Sequence, residues 1–261
     1  MSFGKNPKNF SKGRKGVKKK VGDRFLKKEW WTVKAPGMFA TRNFTKTPVN
    51  VTQGKTYSHE SIKGRIFEIS VGDLNPGCKT AYQKVKLIVD DASEVTNKEC
   101  VTNFHGMSTT KDHLCSLIRK WHTLIETFVD VKTTDGFLLR FFIVAFTLKS
   151  KNQLKATSYA QRSQVKLIRR KMNEVVAKEV NRSTLKELVS KLTSETIPAE
   201  IEKQCKKIFP INNCIIRKVK TVKRPRFDMG QLNSMQAEVT QPKVVAKEEE
   251  AKNESANLLA K

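Results

Sequence analysis

The sequence predicts an α+β protein: an antiparallel, β-barrel-like domain with an inserted amphipathic helix, then a helical region with a closing strand, between disordered termini. Short segments of alternating apolar residues, separated by Gly and Pro, indicate the sheet in the first half of the chain. Apolar residues at helical spacing between positions 157 and 180 indicate the helical region. Both ends of the chain lack either period, which favours disorder there.

The first half contains the predicted strands. Aromatic and β-branched residues make residues 30–33 a strand, which Ala35-Pro36-Gly37 ends. Further strands are predicted at 49–52, 62–71 and 83–89, where apolar and polar residues alternate. We therefore predict a β-rich domain over residues 29–154.

An inserted helix is predicted at about residues 109–128. Its apolar positions follow the i, i+3, i+4, i+7 spacing of an amphipathic helix. They are Leu114, Leu117, Ile118, Trp121, Ile125 and Phe128. A hairpin follows, because residues 128–131 and 137–148 are rich in β-branched and aromatic residues and flank an Asp-Gly pair.

Residues 155–226 are predicted to be mainly helical. Val165, Ile168, Met172, Val176 and Val180 form one apolar stripe within a helix over 157–180. Two shorter helices are predicted at 183–192 and from Pro198 to about 208. A closing strand is predicted at 214–222, which is rich in β-branched residues.

The two ends of the chain have opposite charge. Residues 1–28 carry eleven Lys or Arg and one acid, and residues 227–261 carry six acids and four lysines. We predict a disordered basic arm and a mostly disordered tail. Subtracting the arm (+10) and the tail (−2) from the net charge of +26 leaves +18 on residues 29–226. The folded part is therefore basic in itself.

This charge indicates a polyanionic partner. Nucleic acid is favoured over an anionic membrane, because the sequence has no basic amphipathic membrane helix and no lipidation signal. The longest apolar run, residues 141–146, is far too short to span a bilayer. We expect no membrane partner and no small-molecule substrate.

Catalytic and metal-binding motifs are not found in the sequence. No phosphate-binding glycine loop and no H-E-x-x-H motif occur, and the five cysteines form no C-x-x-C pair. His113, Cys115 and His122 do not have the spacing of a standard zinc site. The sequence therefore predicts no enzyme and no cofactor, and free thiols in a reducing compartment.

Three clusters of basic residues are the candidate RNA-binding residues, because guanidinium and ammonium groups suit phosphate oxygens. Trp30, Trp31, Tyr159 and Phe227 lie beside them and are candidates either for stacking on unpaired bases or for the core. The clusters are Lys18, Lys19, Lys20, Arg24, Lys27 and Lys28 in the arm; Arg162, Lys166, Arg169, Arg170 and Lys171 on a helix; and Arg217, Lys218, Lys220, Lys223, Arg224 and Arg226 at the closing strand.

Six segments, in matching order, resemble a known family. They are KKEWWTVKAPGMF (27–39), IKGRIFEISVGDL (62–74), FHGM (104–107), KWHTLIETFVDVKTTDGFLLRFF (120–142), TSYAQRSQVKLIRRKM (157–172) and FPINNCIIRKVKTVKRPRFDMG (209–230). The chain is similar over about residues 12–230 to the S-three-A family, also called S-one-e, of eukaryotic and archaeal small-subunit ribosomal proteins.

The resemblance implies a structural constituent of the small ribosomal subunit. Family members bind the 3′ region of the small-subunit ribosomal RNA on the platform, near the messenger-RNA exit. Expected partners are that RNA and neighbouring platform proteins, with messenger RNA and initiation factors close by. The resemblance further implies a cytoplasmic ribosome whose assembly begins in the nucleolus, and a role in subunit assembly and translation.

Two alternatives use the same residues differently. A free RNA-binding regulator or assembly chaperone would present the same basic surfaces outside the ribosome. A metal-assisted nuclease would need tightly bound metal at His113, Cys115 and His122.

Overall fold

A computed structural model describes residues 22–93, 98–226, 230 and 232–233. A short 3-10 helix, Arg24–Lys27, precedes the first strand. The strands are β1 (Lys28–Lys34), β2 (Asn43–Asn50), β3 (Ile66–Ser70), β4 (Gln83–Ser93), β5 (Glu99–Thr109), β6 (Leu124–Lys132), β7 (Leu138–Thr147) and β8 (Ile211–Lys223). The helices are α1 (Ser58–Ile62), α2 (Val71–Leu74), α3 (Lys111–Leu117), α4 (Arg162–Asn181), α5 (Leu185–Thr193) and α6 (Thr196–Cys205).

The eight strands of the described residues form one sheet. Its main order is β2-β1-β5-β8-β7-β6, and β3 and β4 branch from β5 through the β4–β5 pair. All pairs are antiparallel except β1–β5, which is parallel. The last strand in the sequence, β8, therefore lies between β5 and β7 in the middle of the sheet.

Helices α4 and α6 cover one face of this sheet, whereas Leu114 and Leu117 of α3 pack against a separate cluster of Val144, Phe146 and Ile215. α4 packs on β6 and α6, and α6 packs on β8. The apolar stripe of α4 is buried there, with Ile168, Met172, Val176 and Val180 each at 0% exposure. Leu139 and Phe141 of β7 join the same core. The core is thus formed where the apolar stripe of α4 meets every second residue of the strands, the residues that point to the helical side of the sheet.

Much of the predicted architecture is confirmed. The protein is α+β, and the 128–148 hairpin is present as β6 and β7 around Gly136, whose φ is +88°. The helices predicted after residue 155 correspond to α4, α5 and α6, and the closing strand corresponds to β8. Barrel-like closure and the division into domains at residue 154 stay predictions.

The predicted helix at 109–128 is wrong over its second half. α3 ends at Leu117, and β6 begins at Leu124. Trp121 lies between them with φ +69° and is 56% exposed, so it does not belong to a buried helical stripe. The helical spacing of apolar residues continues across the loop only by coincidence. Ile125 fits that spacing, but it is buried as part of strand β6.

Strand β5 was not predicted. Its sequence, ECVTNFHGMST, mixes polar residues, a histidine and a glycine with few β-branched residues, so propensity gave a weak signal. The strand forms because three neighbours, β1, β4 and β8, pair with it. Tertiary pairing overrides local preference here.

The chain ends lie mostly outside the described residues. Disorder was predicted for 1–28 and 227–261, and residues 1–21 and nearly all of the tail are not described. The last residues of the predicted arm belong to the fold, since Arg24–Lys27 form the 3-10 helix and Lys28 begins β1. In the tail, Leu232 is 5% exposed.

Replacing Phe141 by Ala should lower the free energy of unfolding by about 3–5 kcal/mol, because a fully buried ring leaves a cavity. Trp121→Ala should cost less than about 1 kcal/mol, since that ring is mostly in solvent. Urea unfolding followed by circular dichroism measures both. Equal losses for the two variants would contradict the assigned burial.

Gly106→Ala should lower the free energy of unfolding by about 1–3 kcal/mol, the usual cost of overpacking. A Cβ at Gly106 would lie 2.7 Å from the carbonyl oxygen of Val219, so β5 and β8 would have to separate. The matched control is Gly22→Ala, where a Cβ meets nothing within 4 Å. Thermal unfolding at the parent temperature for both variants would show that the strands do not approach this closely.

Candidate nucleic-acid interface

The sheet face opposite α4 and α6 carries a row of basic residues. Directly paired residues of neighbouring strands point to the same face. Lys86 of β4 pairs with Gly106 of β5, Gly106 with Lys220 of β8, and Lys220 with Arg140 of β7. Glu68 of β3 and Asp130 of β6 continue this row at its two ends. Cations from strands remote in sequence therefore meet on one surface.

A second row lies beside the first on the same face. Lys84 pairs with Ser108, Ser108 with Lys218, Lys218 with Phe142, and Phe142 with Phe128. This row is basic at the β4 and β8 positions and aromatic at the β7 and β6 positions. We call the surface formed by Lys84, Lys86, Arg140, Lys218 and Lys220 the basic sheet face.

Only part of this charge is neutralised within the described chain. Lys86 Nζ lies 2.5 Å from Glu68 Oε1, and Arg140 binds both carboxylate oxygens of Asp130 at 2.6 and 2.7 Å. The hydrogen bond from Lys86 lowers the pKa of Glu68, so the pair stays ionised. The described residues supply no ion pair to Lys84, Lys218 or Lys220. The rows therefore keep a positive excess.

Lys218 is affected both by burial and by this positive excess. Partial burial, followed by the nearby charges of Lys220, Lys86 and Arg217, lowers its pKa. Like charges at this spacing repel one another and destabilise the ionised forms. A polyanion placed on the face would remove this repulsion, which makes phosphate the chemical group that the surface suits best.

A groove lies where the second row reaches β6. Its volume is about 440 Å³, and it is lined by Glu126, Thr127, Phe128, Phe142, Ile143, Val144, Arg169 and Arg217. Arg169 comes from α4 and Arg217 from β8, so the structure brings together two of the three predicted basic clusters. We call this feature the Phe128 groove.

The predicted helical cluster is largely exposed. Arg162, Lys166, Arg169 and Arg170 face solvent, and Lys171 is half-buried. Arg170 and Lys171 both hold Glu174, at 3.1 and 3.2 Å, so part of their charge is balanced locally. These exposed ion pairs contribute little to stability.

The predicted cluster at the closing strand divides into two parts. Arg217, Lys218 and Lys220 point to the open face of the sheet, whereas Lys223, Arg224 and Arg226 lie at its end. Arg224 binds Asp90 Oδ1 at 3.0 Å and contacts His105 Nδ1 at 2.7 Å. Burial and then the charge of Arg224 lower the pKa of His105. Arg224 is therefore held in place by the fold itself.

Only part of the predicted arm cluster belongs to the described residues. Lys18, Lys19 and Lys20 lie outside the described residues. Arg24 and Lys27 are exposed on the 3-10 helix, and Lys28 Nζ lies 5.6 Å from the centre of the Phe25 ring. RNA binding by this cluster stays a prediction.

Sequence reasoning missed Lys84, Lys86, Arg140 and the two phenylalanines of the second row. Lys84 and Lys86 alternate with buried Val85 and Leu87, which indicated an exposed face but not its neighbours. Only the strand register shows that this face continues into β8 and β7. The predicted stacking aromatics fare differently: Trp31 is fully buried, Trp30 and Tyr159 are more than half exposed, and Phe227 is not described.

The two histidines of the candidate metal site make other contacts. His113 stacks on Tyr82 with ring centres 3.8 Å apart, and His122 Nδ1 lies 2.6 Å from the carbonyl oxygen of Thr147. Cys115 is exposed. No group of three or more metal-binding side chains occurs among the described residues. The metal-assisted nuclease therefore has no support from the geometry.

None of the helices in the described ranges has both the length and the apolar character needed to cross a bilayer.

The sequence of residues 16–225 matches the Ribosomal S3Ae family. A curated protein from Babesia bovis, named small ribosomal subunit protein eS1, is 47% identical over 261 residues, which covers 100% of this chain and 97% of the relative. This is a family of ribosomal structural proteins rather than enzymes. Because the match covers most of its length, the chain belongs to the ribosomal S3Ae family.

Proposed function

We propose that this chain is a structural constituent of the small ribosomal subunit that binds ribosomal RNA through the basic sheet face. Family membership and the name of the Babesia bovis relative support the ribosomal role. The observation that carries the RNA-binding part is the positive excess of Lys84, Lys218 and Lys220 on an open sheet face. Such a surface binds phosphates without reading a base sequence.

The finer assignment follows the family resemblance. The RNA is the 3′ region of the small-subunit ribosomal RNA, on the platform near the messenger-RNA exit. Neighbouring platform proteins, messenger RNA and initiation factors are the further partners, and the chain supports subunit assembly and translation. The protein acts in cytoplasmic ribosomes and joins them in the nucleolus. The separate exposed clusters on α4 and at the end of β8 fit an extended, folded RNA with several contact points.

Replacing Lys84, Lys86, Lys218 and Lys220 by Gln should weaken both RNA binding and retention on the small subunit. Each lost phosphate contact lowers the slope of log K against log salt by about 0.7–0.9, so the slope should fall by about 3. Fluorescence anisotropy with a ribosomal RNA fragment measures the slope. Sedimentation of cell extracts after a high-salt wash measures retention.

The matched control replaces Lys178, Lys203, Lys206 and Lys207 by Gln, which removes the same charge from exposed positions on or just after the helices. Its slope and retention should stay close to those of the parent. Equal losses in the two variants would show that binding depends on net charge and not on the basic sheet face. A parent protein found only in ribosome-free fractions would favour the free RNA-binding regulator or assembly chaperone.

A further inference from the structure

The Phe128 groove exposes an aromatic ring where an antiparallel strand would ordinarily place a polar residue. β6 alternates, with Ile125 and Val131 buried and Glu126, Phe128 and Asp130 pointing outward. Phe128 is 61% exposed between its two acidic neighbours. Because most of this ring is exposed, it contributes little to the stability of the fold, and its presence on the open face needs another explanation.

A second ring and two cations enlarge the aromatic surface. Phe142, directly opposite Phe128 on β7, has its ring centre 6.4 Å away at an interplanar angle of 36°. Arg140 Cζ lies 5.8 Å from the centre of the Phe128 ring, and Lys220 Nζ lies 5.7 Å from that of Phe142. The two rings therefore form one wall with cations along its border.

Two arginines contact one acidic residue at the rim of the groove. Arg169 Nε donates to the carbonyl oxygen of Glu126 at 3.0 Å, and Arg217 Nη1 donates to Glu126 Oε1 at 3.4 Å. A guanidinium has five N–H donors, and these bonds occupy one on each arginine. The remaining donors are available for phosphate oxygens, and the groove keeps a positive excess over the single Glu126 carboxylate.

We propose that the Phe128 groove binds an unpaired nucleotide of RNA, with its base stacked on Phe128 and Phe142 and its phosphate held by Arg169 and Arg217. This proposal rests on the proposed function and adds a ligand class to it. Aromatic side chains stack on bases that are not already stacked in a duplex. Cations beside exposed rings are the pattern of surfaces that bind single-stranded RNA. A duplex would contact the basic sheet face but could not fill this groove.

The first test compares a ten-nucleotide single strand with a duplex of the same length, using the full-length chain. Phe128→Leu keeps the side chain apolar but removes the ring. It should weaken single-strand binding about ten-fold, the loss expected for one base–aromatic stack, and leave duplex binding unchanged within two-fold. Tyr57→Leu is the matched control, because Tyr57 is 47% exposed and lies outside the groove and the basic sheet face. It should alter neither affinity.

The second test uses Phe128→Trp, which restores an aromatic ring and adds a fluorophore. Single-strand affinity should stay at the parent level, and the added tryptophan emission should be quenched when the single strand binds but not when the duplex binds. Arg169→Gln with Arg217→Gln should lower the salt slope for the single strand by about 0.7 while the quenching persists at saturating RNA.

Three results would overturn the proposal that the Phe128 groove binds an unpaired nucleotide. These are an unchanged single-strand affinity in Phe128→Leu, an equal loss on the duplex, or an unquenched Phe128→Trp bound to the single strand. The proposed function fails by a different result: a parent protein that binds neither RNA, or a four-lysine variant that binds the ribosomal fragment as the parent does. Circular dichroism melts of each variant separate a loss of binding from a loss of folding.

Discussion

The pairing of β8 with β5 on one side and β7 on the other holds this molecule together. Without β8 the sheet would consist of two groups, β2-β1-β5 with β4 and β3, and β7-β6. The register requires Gly106 at the crossing with Val219, because no Cβ fits there. α6 packs on the same strand, and Glu202 of α6 accepts a hydrogen bond from the backbone of Cys214.

The same strand links stability with charge. Its inward residues Cys214, Ile216 and Val219 belong to the main core, while Lys218 and Lys220 alternate to the open face. A strand in the middle of a sheet places its outward residues beside those of both neighbours. Lysines on β8 are therefore brought close to Lys86 and Arg140, and their repulsion is a consequence of the same pairing that forms the core.

The sequence allowed prediction of the elements with a strong period. The stripe of α4 from Val165 to Val180, the hairpin around Gly136 and the β-branched strand β8 all formed as expected. β5 was not predictable, because it depends on three pairing partners. The end of α3 was not predictable either, because apolar residues of the following loop and strand continue the helical spacing by coincidence. The α4 and β8 basic clusters were found from composition, because their charges lie close together in the chain. Lys84, Lys86, Arg140 and Phe128 were not found, because only strand register makes them neighbours.

The order of strands in the sheet differs from their order of synthesis, and this sets when the basic sheet face can exist. Lys84, Lys86 and Arg140 leave the peptidyl-transferase centre well before Lys218 and Lys220. The side chain of Thr221 bonds to the carbonyl of His105, 116 residues earlier, so the final strand closes contacts of high sequence separation. Such contacts form late and slowly. A nascent chain therefore presents two separate half-surfaces, and the complete cationic surface appears only once translation of the last strand has ended.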